Sequence, residues 1–387
     1  MTPAARVAAA IAVLDQIIDG QPAEQALTRW ARQNRYAGSK DRAAVRDHVF
    51  DVLRVRRTAA HFGGHADGRG WMLGLLRLQG VPPDALFTGE RHAPPALSSS
   101  EAAFSAGEAP KNVRWNLPDW LVPEFERSLG QDAETTAVAL QTRAPIGLRV
   151  NTKKGALETA INTLSADGIQ VAANPLAPRA LTVTEGARRL RQSQAYQSGA
   201  VELQDASSQA VVEMIPDAER VLDYCAGGGG KALALAARSD GSVFAHDIDP
   251  KRMSDLPARA ARAGATIRQL SSAELAKQPR FDVVLCDVPC SGSGAWRRAP
   301  EGKWSMTAQR LSSLLNEQDK ILDHAKQLLR PGGLLVYATC SVLCCENEDR
   351  VAAFLTRNPE WHVKAQKRFP VCDAGDGFFT AHLKREL

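Results

Sequence analysis

The 387-residue chain has no apolar run long enough to cross a bilayer, and its N-terminus lacks a hydrophobic stretch ending in a cleavage site. These absences argue against membrane and exported proteins, and a cytoplasmic location is expected. Cysteine is missing from the whole first half; the seven present stand at 225, 286, 290, 340, 344, 345 and 372. An odd number gathered at one end does not make a disulfide framework. No Cys-x-x-Cys pair is matched by a second pair or by histidines at zinc spacing, so no metal site is expected. A strong charge of either sign is also lacking. The 48 basic residues oppose 43 acidic ones, leaving +5, so where the charges sit matters more than their sum. With 44% hydrophobic and 24% charged residues, the composition is that of a globular protein. The length calls for two or three domains.

Residues 1–135 read as helical. Ala8, Ile11, Leu14 and Ile18 form one apolar face, Leu27, Trp30 and Ala31 a second, and Val45, Val49, Val52 and Leu53 a third. Breaks fall at Gly20-Gln21-Pro22 and Ala37-Gly38-Ser39. Arg6, Arg29, Arg32, Arg35, Lys40, Arg42, Arg46, Arg54, Arg56 and Arg57 gather here. Arginine's planar fork suits phosphate, so this region is expected to touch nucleic acid. Trp120, where another helix opens, reads as a buried anchor. Residues 136–200 read as a small α/β element, with strands near 146–152 and 180–183 and a helix at 156–166. Arg149, Asn151 and Gln204 are candidates for RNA contact, and Asp205 is placed to cap the next helix.

From residue 201 onwards the pattern is strand, turn, helix. A strand at 220–226 runs into Gly227-Gly228-Gly229-Gly230-Lys231. Such a turn lets backbone approach a ligand, with the N–H groups of the following helix aimed at it. Ala232 stands where a P-loop needs Ser or Thr, which disfavours nucleoside triphosphates. The next strand ends in Asp247, roughly 20 residues past the glycines, where an acid accepts ribose hydroxyls of an adenosine. That arrangement serves NAD or S-adenosylmethionine. Asp249 is the alternative acid, with a helix cap as its plainer role. A third strand leads to Ser271, near the expected adenine. A fourth, 281–285, is apolar and ends at Asp287, followed by Pro289, Cys290, Gly292 and Gly294. A fifth, 333–340, ends at Cys340. In doubly wound sheets ligands sit outside the carboxyl ends of the strands. Asp287, Cys290 and Cys340 are therefore expected in one cleft beside the cofactor.

Together these stretches resemble the RsmB/Nop/Sun family of S-adenosylmethionine-dependent RNA cytosine-5 methyltransferases. The resemblance rests on Asp223 to Lys231, on Asp287-Val288-Pro289-Cys290-Ser291-Gly292-Ser293-Gly294 and on Arg297-Arg298-Ala299-Pro300-Glu301 with Lys303-Trp304. Tyr337-Ala338-Thr339-Cys340-Ser341 with Glu346-Asn347-Glu348, and Gly375 to Phe379, complete it. The start of the chain resembles the NusB family through the Arg6 helix, Ser39-Lys40-Asp41-Arg42 and Val52 to Arg57. The implied architecture is α/β. A Rossmann-like class I methyltransferase sheet over 201–387 follows an all-α NusB-like domain over 1–135 and the small α/β element over 136–200. Family members of this arrangement act on 16S ribosomal RNA. Two departures stand out. Gly227-Gly228 replace the family's usual Ala-Pro, which predicts a looser turn, and Ser271 replaces an Asp.

The resemblance implies S-adenosyl-L-methionine as cofactor, no metal, a monomer, and small-subunit rRNA as partner. It assigns Cys340 as nucleophile towards carbon 6 of cytosine and Cys290 as the thiol that assists release. Asp287 is to read the cytosine edge, and Lys231 to lend positive potential. Cys225, Ala226, Gly227, Gly228, Gly229, Gly230, Lys231, Asp247, Ser271 and Asp287 are the implied cofactor contacts, and Arg297, Arg298 and Lys303 are to grip phosphates. Two other readings stay open. A DNA cytosine-5 methyltransferase would use the Pro-Cys thiol as nucleophile. A non-catalytic assembly factor would bind rRNA through the helical region alone.

Overall fold

The computed structural model describes residues 1–238 and 240–386, and none of its helices is long and apolar enough to cross a membrane. The chain divides into two compact units. The first gathers Met1–Pro123, Ala137–Thr142 and Trp296–Ser305, and the second Glu124–Thr136, Arg143–Ala295 and Met306–Leu387. The unit that holds the helical region expected over 1–135 runs without a break to Pro123, and it also recruits Ala137–Thr142 and, from the later half, Trp296–Ser305.

The first unit is built on α1 (Pro3–Ile18), α2 (Ala23–Gln33), α3 (Ser39–Arg54), α4 (Arg56–Gly63) and α5 (Gly68–Leu78). Thr2 caps α1 by accepting a hydrogen bond from the Ala5 amide at 3.1 Å. Most of the expected apolar residues meet in one core that includes Leu14, Leu27, Trp30, Val45, Val49 and Leu53, joined by Val7 and Trp71, whereas Ile18 is exposed. Trp115 is buried, whereas Trp120 is 37% exposed and is not the anchor expected of it.

The expectation that Arg297 and Lys303 grip phosphates is overturned, because both side chains are buried. The Arg297 carbonyl accepts from Arg54 Nε at 2.8 Å. Lys303 Nζ lies 3.3 Å from the Arg54 carbonyl and 4.7 Å from the Trp304 ring centroid. Trp304 Nε1 donates to the Leu53 carbonyl at 2.7 Å. These residues fasten their segment onto the end of α3.

The second unit holds two sheets. The smaller is antiparallel, from β1 (Ile146–Val150), β2 (Gln170–Ala173), β3 (Ala180–Glu185) and β4 (Val201–Leu203), in the order β2-β3-β1-β4. The larger contains β5 (Arg220–Asp223), β6 (Ser242–Ala245), β7 (Ile267–Gln269), β8 (Phe281–Asp287), β9 (Leu329–Thr339), β10 (Trp361–Phe369) and β11 (Phe378–Arg385). Its order is β10-β11-β9-β8-β5-β6-β7. β5 to β9 pair in parallel, and β11 is antiparallel to both β9 and β10. This is the doubly wound Rossmann-like sheet the pattern predicted. Strand order reverses beside β5, the position where such folds open a ligand crevice.

Arg149, Asn151 and Gln204 do not offer themselves to RNA. Asn151 Nδ2 donates to the Gly199 and Ala263 carbonyls at 3.2 and 2.8 Å. Arg149 Nη1 donates to Gln204 Oε1 at 2.8 Å and to the Gly230 carbonyl at 3.1 Å. Asp205 caps the helix Ala206–Glu213 as expected, taking the Ser207 amide at 2.8 Å.

Burial, aided by the nearby Arg54 charge, lowers the Lys303 amine from its ordinary 10.5 to about 7. At or below about pH 7 the folded protein carries a desolvated ammonium. Between about 7 and 10.5 the unfolded chain keeps the proton that the folded chain has lost, so stability rises with pH. Lys303→Met is therefore expected to raise the melting temperature at neutral pH, with a gain that fades as the pH climbs towards 10.5. Thermal melts of both proteins across that window check it. A gain flat in pH would show that the amine keeps its charge in the fold.

Candidate active site

Pairing of β8 with β9 sets the site. Asp287 lies opposite Ala338, so Cys290 and Cys340 leave neighbouring strands at the same level. Two backbone bonds continue the pairing beyond the strands. The Val288 amide donates to the Ala338 carbonyl, and the Gly294 amide to the Cys340 carbonyl, each at 3.0 Å. The sulfurs of Cys290 and Cys340 stand 3.4 Å apart, within S–H···S reach. Both are free thiols of intermediate exposure. The hydrogen bond to Cys340, then burial, then the negative charge of Cys340 and Glu346 hold the Cys290 thiol well above its ordinary pKa. Either sulfur can be the S–H donor of the pair.

The glycine turn follows β5. Gly227 and Gly229 have φ of 51° and 74°, the left-handed region that glycine adopts without a Cβ clash. At Gly229 a Cβ would also come within 2.4 Å of Leu256. Asp247, almost fully buried at the end of β6, accepts from the Gly227 amide at 2.9 Å and the Asp249 amide at 3.0 Å. Arg252 pairs with it at 3.2 Å. The far side of the turn is held through carbonyls. Arg149 and Gln204 both donate to Gly230, and Arg259 Nη1 donates to the Gly228 carbonyl. Arg259 is itself steered by Glu202 at 3.2 Å. The looseness expected of Gly227-Gly228 is thereby countered. A Cβ at position 228 would lie 3.2 Å from Arg259 Nη1, so glycine there and the arginine fit each other.

Lys231, at the start of the helix Gly230–Arg238, reaches back across the strand ends to Asp287, with Nζ 2.6 Å from Oδ2. Burial works against its charge, but the Asp287 carboxylate outweighs burial and raises the amine above its usual pKa. Asp223, the last residue of β5, is 1% exposed, and among the described residues no side chain hydrogen-bonds its carboxylate. Burial first, and the Asp287 charge second, push its pKa up to about 7. A buried acid that no side chain bonds, beside a glycine turn, suits a ligand's ammonium group. Among the described residues no cluster of His, Cys, Asp and Glu could hold a metal ion.

The structure brings Cys340, Cys290, Asp287, Lys231, the Cys225–Gly230 turn and Asp247 to the carboxyl ends of β5, β6, β8 and β9. Ser271 lies past β7 and makes its bonds as a helix cap, accepting from the Glu274 amide at 3.3 Å. Asp249 likewise caps, taking the Lys251 amide at 3.1 Å. Sequence reasoning passed over Asp223, although an acid on the strand directly before the glycines was the available signal. It also passed over His246, whose ring stacks on Tyr224 at 4.9 Å and contacts Ser272 Oγ at 3.1 Å.

Comparison with known proteins places the chain among methyltransferase relatives. The family model of the 16S rRNA methyltransferase RsmB/F matches residues 211–384, and that of the ferredoxin-like domain of RsmF/B-like methyltransferases matches 117–188. The ribosomal RNA small subunit methyltransferase B of Xylella fastidiosa (strain 9a5c) is 35% identical, over 90% of this chain and 93% of its own. That of Citrobacter koseri is 32% identical, over 73% and 70%. Among solved structures, PH0851 superposes with a TM-score of 0.78 at 21% identity, over 100% of this chain and 99% of its own. A methyltransferase homolog protein from Pyrococcus horikoshii gives 0.62 at 25%, over 71% and 98%.

Arg259→Ala is expected to weaken binding of S-adenosylhomocysteine about tenfold, the size of one charge-assisted hydrogen bond. Adding Gly228→Pro, which stiffens the turn by another route, should recover most of the loss. Titration calorimetry on the three proteins decides it, and unchanged affinity in Arg259→Ala would mean that the turn keeps its shape unaided.

Proposed function

Since the chain belongs to the RsmB/F family of S-adenosylmethionine-dependent rRNA methyltransferases, we propose that it methylates carbon 5 of a cytosine in small-subunit rRNA through a covalent bond to Cys340. The observation that carries this reading is the 3.4 Å sulfur pair at neighbouring strand ends. One thiol would suffice for a mechanism in which the Pro-Cys cysteine attacks, and none is needed for a binding factor.

Carbon 5 of cytosine is a weak nucleophile. Addition of the Cys340 thiolate to carbon 6 gives carbon 5 enamine character, which is covalent catalysis. S-Adenosylmethionine, when bound, supplies an electrophilic methyl group. The turn Cys225–Gly230 and Asp247 are the residues to hold its adenosine end, and Asp223 suits its α-ammonium. Asp287 accepts from the cytosine amino group through Oδ1 while Lys231 fixes Oδ2. That contact separates cytosine from uracil, which offers an acceptor at the same position. The target base must leave any stack to enter the cleft.

Release requires loss of the carbon 5 proton and expulsion of Cys340. Once Cys340 is bonded to carbon 6, the interactions with Cys340 that raise the pKa of the Cys290 thiol are gone. The Cys290 thiol then becomes easier to ionise, at the stage when a proton acceptor is needed. Elimination restores the aromatic ring and returns the Cys340 thiolate.

The first unit supports RNA binding on part of its expected basic surface. Arg6 is spent on Asp41 at 2.8 Å and Arg57 on Asp119 at 2.6 Å. Arg29, Arg32, Arg35 and Lys40 stay exposed along α2 and the start of α3, beside Tyr36 at 74% exposure.

Cys340→Ala is expected to abolish methyl transfer, and Cys290→Ala to accumulate a protein–RNA adduct that survives denaturing electrophoresis. Normal turnover by Cys290→Ala without an adduct would reverse the assignment of roles. Replacing Arg29, Arg32 and Arg35 together by alanine should weaken rRNA binding. It should also flatten the salt dependence by about 0.9 in log–log slope for each phosphate that is no longer neutralised. A slope equal to that of the unaltered protein would place the RNA surface elsewhere.

A further inference from the structure

Glu346 is fully buried, yet among the described residues none of its hydrogen-bond partners is a cation. Its carboxylate instead collects four donors. Oε1 accepts from the Ser291 amide at 2.7 Å and from Gln318 Nε2 at 3.2 Å. Oε2 accepts from the Ser291 hydroxyl and from the Ser341 hydroxyl, the latter at 2.5 Å. Four donors match the acceptor capacity of an ionised carboxylate. Ser291 follows Cys290 and Ser341 follows Cys340 in the chain. One side chain therefore grips the residue behind each of the two thiols.

The surroundings hold Glu346 as firmly as it holds the serines. Tyr337 donates its hydroxyl to the Glu346 carbonyl at 2.5 Å, and Gln318 also donates to the Pro289 carbonyl at 3.0 Å. Asn347 accepts from Thr339 Oγ1 at 2.6 Å and donates to the Ser341 carbonyl at 3.0 Å. The serine hydroxyls, committed as donors to Glu346, accept in turn from backbone. Ser291 Oγ takes the Ser293 amide at 3.3 Å and Ser341 Oγ the Leu343 amide at 3.1 Å. Together these bonds tie the loop after β8 to the loop after β9. A buried carboxylate is costly unless fully hydrogen-bonded, and this expense serves no ion pair.

We infer that Glu346 is the positioning residue that holds Cys290 and Cys340 at working distance. The inference rests on the reading of those thiols as a catalytic pair, which it deepens. Glu346 touches neither base nor cofactor and acts through Ser291 and Ser341. Without it the two loops keep their backbone bonds, the 3.5 Å contact between the Ser291 and Ser341 hydroxyls and the bonds of the Ser293 hydroxyl to Ser341 and Val342, but they lose the four short bonds that converge on one carboxylate, and the sulfurs drift. Misplacement of a reacting group by about 1 Å costs about a hundredfold in rate. Glutamine keeps one acceptor oxygen for the Ser291 amide, and its –NH₂ can donate to serine hydroxyls that rotate to receive it. Alanine keeps nothing.

The test compares Glu346→Ala with Glu346→Gln in the full-length chain by two measurements. The first is the yield of a Cys290–Cys340 cross-link with a short bifunctional thiol reagent, without substrate, read by peptide mass spectrometry. The second is steady-state methylation of rRNA. Glu346→Ala should lose the cross-link and about a hundredfold in kcat while KM for rRNA and cofactor stays put. Glu346→Gln should recover most of both. A wild-type cross-link yield and kcat in Glu346→Ala, or a Gln variant as damaged as Ala, would overturn the inference. If Glu346→Ala does not fold, Ser291→Ala and Ser341→Ala each remove one arm of the clamp and should lower cross-linking to a smaller degree. Their failure to do so is equally fatal. The cross-link reads the spacing of the sulfurs whatever reaction they perform, so it can succeed even where the cytosine reading fails.

Discussion

The register between β8 and β9 is the constraint on which the site depends. Strands that pair in parallel end side by side, and the residues just past them emerge together. Here Asp287 against Ala338 sends two short loops out at one level, each with a cysteine near its root. A slip of one residue would turn the side chains of β8 to opposite faces of the sheet. That slip is resisted from inside. Phe281, Val283, Val284, Leu285 and Cys286 are almost wholly buried, alternate between two hydrophobic clusters and cannot exchange them. The chemistry is thus held in place by ordinary apolar packing below it.

Above the strand ends, electrostatics bears on the Cys290 thiol. With a second sulfur 3.4 Å away a thiol ionises at a cost, and the surroundings of Cys290 add to it. The Glu346 carboxylate faces the loop of Cys290 and adds to the cost of a charge there. Lys231 lies on the other side, and its own raised pKa owes something to Cys340 as well as to Asp287. The Lys231 ammonium is shared among several acids of the cleft, so its charge is never left unmatched. Asp223 differs from the rest. It is buried next to the same lysine, yet no side chain among the described residues hydrogen-bonds it.

Much of this was legible in the sequence wherever the signal was local. The apolar run of β8 with an acid at its end, the glycine turn and the Thr-Cys-Ser stretch of β9 each announce themselves within ten residues. What stayed hidden depends on partners far along the chain. Arg149 looks like a surface arginine until the Gly230 carbonyl, its acceptor, is placed beside it. Arg297 and Lys303 read as phosphate contacts because nothing nearby says that the end of α3 will receive their segment. Ser271 carried its own clue, since Ser-x-x-Glu before a short helix is a capping box. Glu346, between a Cys-Cys pair and an Asn, has the outward look of a solvated acid. Only the two serines reveal its place.

The glycine turn shows how a departure from a family's usual residues can be absorbed. Proline stiffens a loop by limiting its own φ, and that restriction is present before folding. Two glycines give it up and enlarge the unfolded ensemble. The chain recovers rigidity with hydrogen bonds made only in the folded state. Asp247 and Arg252 act on one limb of the turn, and Arg149, Gln204 and Arg259 on the other. The two solutions differ in what they depend on. Proline's works in isolation, whereas this one needs the small sheet, because Arg149 comes from β1 and Glu202, which steers Arg259, from β4. The element between the helical region and the larger sheet is therefore part of the glycine turn's support, a role that its position in the chain does not suggest.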